Sequence, residues 1–155
     1  MYRFSPAFPE DARAFSRMLR PIDQLEAEAL SGLPAYVVIE QSITNSDRAQ
    51  LICGDLGEPH YLWGVSKSPH EPTVGMPWML ATTSATFPRE FLPKSRDIVA
   101  WMQSRYDVLW NLVHVDNHKA RRWLERLGFT FPKNKRHLFN NEPFMEFMRT
   151  APYVR

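Results

Sequence analysis

The chain has one cysteine, Cys53, and only six glycines in 155 residues. A single thiol excludes an intramolecular disulfide framework and any multi-thiolate metal centre. No apolar run approaches the roughly 20 residues that a membrane helix needs. An excess of one charge is also missing: 19 Lys and Arg stand against 17 Asp and Glu, a net +2. That balance is too even to imply nucleic acid as a partner. No internal repeat and no low-complexity tract is present. The opening MYRFSPAFPEDAR has no basic stretch followed by an apolar one, so no secretory signal is read there. What is plentiful is proline, 13 residues, and aromatics at 13%, including five Trp. Prolines shorten the elements they punctuate, and the aromatics suit a dense core. Hydrophobic residues at 44% and charged ones at 23% are ordinary for a globular protein, and one soluble domain over residues 1–155 is expected.

Hydrophobic periodicity places the elements. Tyr2–Ser5 reads as a first strand, and Pro9-Glu10-Asp11 starts a helix with Phe15, Met18 and Leu19 on its apolar face. Ile22–Leu30 is a second helix that Gly32 ends. Leu33–Thr44 fits either period: Val37, Val38 and Ile39 favour a strand, while Tyr36, Ile39 and Ile43 favour a helix, the preferred reading. Arg48–Cys53 and His60–Ser66 form a hairpin around Asp55 and Gly57. Gly75–Thr83 is a further strand, and Lys94–Arg105 a helix. Val108–Val115 is apolar on both faces, the pattern of a central buried strand with Trp110 in the core. Asp116 or Asn117 caps a helix whose buried face is Ala120, Trp123, Leu124 and Leu127. Gly128 stops that helix at positive φ. Phe129–Phe131 and Phe144–Arg149 are the closing strands. The sum is an α/β or α+β protein, a mixed sheet with helices on both faces.

The stretch Val115–Phe129 resembles the C-terminal motif of the GNAT (N-acetyltransferase) superfamily. An Asn ends the central strand, an Ala follows three residues on, and Gly-Phe stand eleven and twelve residues after the Asn; Asn117, Ala120, Gly128 and Phe129 match. The resemblance implies a GNAT-like, mostly antiparallel mixed sheet and acyl transfer from acetyl-coenzyme A (acetyl-CoA) to an amine. A narrower resemblance covers nearly the whole chain. It rests on Tyr106–Asn117, on Pro6 and Asp11 before a helix with Glu26-Ala27-Glu28-Ala29, and on Pro77–Thr83 before a basic helix. These segments are similar to GNAT-like internal virion proteins and acyltransferases of short-tailed bacteriophages. That likeness implies a phage-encoded protein in the host cytoplasm or the virion, meeting virion or host proteins.

Two departures from the GNAT pattern bear on function. Active members carry Gln/Arg-x-x-Gly-x-Gly/Ala before the helix that follows the fourth strand, where backbone N–H groups hold the CoA pyrophosphate. Thr82–Arg96 has no glycine and two prolines. Its cations Arg89, Lys94 and Arg96, with Ser95, are the substitutes, and Leu80, Ala81, Thr82 and Asn117 complete the implied cofactor-binding set. Many members also place a Tyr seven residues after the Asn as general acid; here that position is Leu124. Candidate bases are His114, whose neutral imidazole suits the role near neutral pH, and Glu40. The bland readings are a hydrogen-bonded core histidine, a surface carboxylate and, for Cys53, an inert buried thiol. His114 and His118 straddle a strand-to-helix junction without a third ligand, so no metal is expected. The basic helix face of His118, Lys119, Arg121, Arg122 and Arg126 reads as solvated, and nucleic acid is not expected on it. An acyltransferase and a non-catalytic virion or assembly protein on the same scaffold are the two functional expectations.

Overall fold

The computed structural model describes residues 1–86, 89, 91–132 and 135–152. In chain order the strands are β1 Arg3–Pro6, β2 Ser46–Cys53, β3 Pro59–Lys67, β4 Val74–Ala81, β5 Val108–His114, β6 Arg136–Phe139 and β7 Glu142–Thr150. The helices are α1 Ala12–Ser16, α2 Pro21–Ser31, α3 Ala35–Asn45, α4 Phe91–Arg105 and α5 His118–Arg126. Hydrogen bonding orders the seven strands β1-β2-β3-β4-β5-β7-β6. The β4–β5 pair is parallel, and β1–β2, β2–β3, β5–β7 and β6–β7 are antiparallel. This is the mixed, mostly antiparallel α/β fold expected. The chain gathers into two compact units: residues 1–66 with 78–86, and residues 67–77 with 87–155.

In the first unit a short 3-10 turn, Pro9–Asp11, precedes α1. The Asp11 carboxylate accepts the Phe8 N–H at 2.8 Å, satisfying a donor that a helix start leaves orphaned. Proline stands at the first position of α2, and Gly32 ends it at φ 72°, where only glycine sits without strain. The ambiguous segment is helix: Ala35, Ile39 and Ile43 of α3 are buried together. A helical period sends these three to one side, where they pack with Ala12, Phe15, Leu19, Ala27 and Leu62. Gly57 turns the β2–β3 hairpin at φ 79°. Gly64 is there for space, because a Cβ on it would lie 2.6 Å from Cζ2 of Trp78. The Trp78 indole N–H donates to Ser46 Oγ at 2.9 Å.

In the second unit β4 begins beside β5, with Val74 opposite Val108 and Gly75 opposite Leu109. The Asn111 amide then donates to the Pro77 carbonyl at 2.8 Å. Helix α4 starts at Phe91, not Lys94. Pro93 is its third residue, inside the first turn, where a backbone N–H has no intrahelical partner to lose. Phe91 is buried and stacks on Trp123, with ring centroids 6.0 Å apart, which ties the start of α4 to α5. Of the face expected on α5, Trp123 is buried while Ala120, Leu124 and Leu127 are half-buried. Gly128 has φ 88°. Its N–H donates to the Glu125 carbonyl and the Phe129 N–H to the Leu124 carbonyl, the paired bonds of a glycine-terminated helix.

Two expectations are corrected in this unit. Phe129–Phe131 is no strand of its own: Thr130 makes an isolated bridge with Met148, and the strand beside β7 is β6, later in the chain. Trp110 lies in the central strand β5 but is only half-buried; the core residues of β5 are Leu109 and Val113.

Candidate functional site

The carboxyl end of β5 carries His114, Asp116 and Asn117. His114 is 2% exposed. Its Nδ1 accepts the Asp116 N–H at 3.0 Å, and its Nε2 lies 3.0 Å from Glu142 Oε2. A ring nitrogen that accepts an N–H carries no proton, so the other donates to the carboxylate. Both ring nitrogens are engaged. The ring pins the strand end to β7 and shapes the turn into α5. Asn117, also buried, caps α5: its Oδ1 accepts the Ala120 N–H at 3.3 Å.

The first unit holds Leu80, Ala81, Thr82 and Glu40. Leu80 packs against the unit's core. The Ala81 carbonyl accepts the Arg20 N–H, and its N–H faces the buried Asp23 carboxylate. Burial drives the Asp23 pKa above the ordinary carboxylate range, against the lowering pull of Arg20. Thr82 is 1% exposed, and its hydroxyl donates to the Pro59 carbonyl at 2.7 Å. The N–H groups of Thr82, Thr83 and Ala85 donate to the carbonyls of His60, Met18 and Thr82. A backbone phosphate cradle needs N–H groups aimed at the ligand, and here these donors are spent within the protein. Glu40 is exposed on α3. Cys53 is half-buried, and burial pushes its thiol pKa up, which keeps it a protonated, weak nucleophile.

The start of α4, in the second unit, keeps anion-binding capacity of another kind. Arg89, Lys94 and Arg96 are exposed there, and the first turn carries no acidic residue. The helix N-terminus adds its partial positive charge. Ser95 contributes nothing to this, because its hydroxyl is buried and donates to the Phe91 carbonyl at 3.0 Å. Among the described residues, the side chains at this helix start fit a pyrophosphate by charge, and the N–H groups of Thr82, Thr83 and Ala85 supply no cradle.

One cluster went unread in the sequence. On β7, Glu146 receives the Trp110 indole N–H on Oε1 at 2.7 Å, and His137 Nε2 lies 3.3 Å from its Oε2. The indole bond, helped by His137, holds the Glu146 carboxyl below the usual carboxylate range. The available signal was the alternation Phe144, Glu146, Met148, which sets a carboxylate between two apolar residues on one strand face.

No protein-family model and no curated protein matches the sequence. Solved structures do match the fold. An acetyltransferase of the GNAT family from Streptococcus pneumoniae has a TM-score of 0.65 at 11% identity, covering 97% of this chain and 100% of that one. A ribosomal-protein-alanine N-acetyltransferase from Brucella melitensis has a TM-score of 0.71 at 8% identity, covering 96% and 99%. Spermidine N-acetyltransferase from Vibrio cholerae, solved in complex with CoA and spermine, has a TM-score of 0.70 at 9% identity, covering 96% and 95%. The chain has the GNAT acetyltransferase fold along nearly its whole length.

Proposed function

We propose that this protein is a CoA-thioester-dependent N-acyltransferase that holds the CoA pyrophosphate by side-chain charge at the start of α4. The observation that carries the reading is the basic N-terminus of α4, directly after β4, in a fold shared end to end with acetyltransferases. Fold alone does not make function; the cations Arg89, Lys94 and Arg96 supply the chemistry that a phosphate needs. Acyl transfer requires the neutral amine, its ammonium proton already lost to water; attack forms a C–N bond, breaks the thioester C–S bond and passes one further proton from the nitrogen to the leaving thiolate. Holding the thioester and the amine in reactive geometry lowers the barrier by removing the entropy cost of bringing them together. His114 could accept a proton only at Nδ1, which already accepts the Asp116 N–H, so its role in this reading is to shape the end of β5. Leu124 stands where a phenolic acid would be and supplies no proton.

A second reading is favoured by one specific observation, the commitment of the Thr82, Thr83 and Ala85 N–H groups to protein carbonyls. In it the chain is a non-catalytic virion or assembly protein on the same scaffold. The phage resemblance of Tyr106–Asn117 and Pro77–Thr83 serves both readings. It gives a phage-encoded protein in the host cytoplasm or the virion, with virion or host proteins as partners. Calorimetry with acetyl-CoA decides between them. The enzyme reading expects binding that Arg89→Ala with Arg96→Ala abolishes, and no binding in low salt leaves the scaffold reading.

A further inference from the structure

The outer face of α5 carries charge that helix stability argues against. Lys119, Arg121, Arg122 and Arg126 stand on it against one carboxylate, Glu125, in a chain whose whole net charge is +2. Lys119 lies in the first turn, which holds no acidic residue, although the positive end of the helix dipole disfavours a cation there. Arg122 follows Lys119 by three positions and Arg126 follows Arg122 by four, so each neighbours the next on one helix face, where like charges repel. All three are exposed. Among the described residues, none makes a side-chain hydrogen bond or ion pair with any of the three. Arg121 differs: it is half-buried, and its guanidinium donates to the Val115 carbonyl at 2.7 Å. Trp123, one turn from both Lys119 and Arg126, is buried and stacks on Phe91, which fixes the row in place and joins α5 to the basic start of α4.

A row of uncompensated cations on a fixed helix, standing where repulsion and the dipole both oppose it, fits a partner that brings a regular series of negative charges. Nucleic acid does so, with one charge per about 1.7 Å of duplex axis, and guanidinium groups match phosphate geometry. An anionic membrane would also need exposed apolar side chains beside the cations, whereas Trp123 is buried and Leu124 and Leu127 are half-buried. We propose that Lys119, Arg122 and Arg126 form a docking row for the phosphate backbone of nucleic acid, with no reading of base sequence. The near-even charge of the whole chain conceals the row, because net charge averages over the molecule while counterion release is local. The row stands whether or not the acyltransferase reading holds.

The test is fluorescence anisotropy of a labelled DNA duplex of about 20 base pairs, titrated with the full-length protein without CoA. Three phosphate contacts give a log–log salt slope of about 2.7, so affinity should fall about 40-fold between about 50 and 200 mM KCl. Lys119→Gln with Arg122→Gln and Arg126→Gln should weaken binding about tenfold or more at the lower salt and flatten the slope. Glu125→Gln, which removes the one carboxylate on the helix, should tighten it. Glutamine suits a helix and the repulsion is relieved, so the triple variant should melt no lower than the native protein and bind acetyl-CoA as the native protein does. No binding at low salt, an unchanged affinity and slope in the triple variant, or a lowered melting temperature in it overturns the proposal. Equal competition by poly-L-glutamate or by phosphatidylserine vesicles at matched charge overturns it too, since the face would then take any anion. A loss of acetyl-CoA affinity of about tenfold or more in the triple variant would assign the row to the cofactor and likewise overturn it.

Discussion

Two neighbours on β5 show what burial does to a residue's worth. Leu109 is wholly buried, so Leu109→Ala should cost about 2–5 kcal/mol by lost transfer energy and the cavity left behind. Trp110 is half-open, and its main specific contact is the bond to Glu146. Trp110→Phe should cost about 1 kcal/mol, and urea unfolding of both variants checks the order. Glu146 also makes stability depend on pH. Its carboxyl is held below the usual range in the folded protein, so the folded state releases that proton at lower pH than the unfolded chain does. The stabilisation is complete above the unfolded carboxylate value, about 4.3, and is lost as pH falls through the lowered folded value. The stability gap between the native protein and Glu146→Gln should therefore be wider at neutral pH than in acid, as denaturant titrations at both would show. These side chains were legible as types but not as contacts. Trp110 looks like core because its strand neighbours are apolar, and its partner Glu146 is 36 residues away.

At the scale of elements, α5 depends most on its two ends. It is nine residues long, too short to persist on propensity alone. Asn117 caps its start and Gly128, at φ 88°, closes its end. Asn117→Ala should cost about 0.5–2 kcal/mol. Gly128→Ala should cost about 1–2 kcal/mol, since an L side chain resists the left-handed region, and its Cβ would also lie 3.2 Å from Arg149 Nε. Thermal unfolding of both variants measures this. The caps were readable because a cap is local chemistry: an oxygen at one position and a missing Cβ at another. The helix of α3 was harder, since β-branched Val37, Val38 and Ile39 suit a strand as well. Burial of Ala35, Ile39 and Ile43 together settled it.

At the scale of the whole molecule, a net charge of +2 gives only a weak long-range field. Any grip on a polyanion must come from local cations, and Arg89, Lys94 and Arg96 are exposed to salt. Acetyl-CoA affinity should accordingly fall as ionic strength rises from about 0.01 M to 1 M, where the screening length drops from about 30 Å to 3 Å. Affinity that survives both high salt and the Arg89→Ala, Arg96→Ala pair would place the phosphate elsewhere.

The order of elements as far as α5, the caps of α5, the β2–β3 turn at Gly57 and the absence of a glycine cradle were all present in the sequence, because each depends on residues a few positions apart. The insertion of β7 between β5 and β6 belongs to the tertiary structure. So does the demotion of Phe129–Phe131 to a single bridge, since pairing partners lie far along the chain and local periodicity carries no register. The same holds for the site. Which cations exist at the start of α4 is sequence; that the Thr82, Thr83 and Ala85 N–H groups are already spent, and that Glu146 meets Trp110 and His137 on a half-open face, only the folded chain decided. Hydrogen-bond partners and exposure are properties of packed neighbours and not of the residues that carry them.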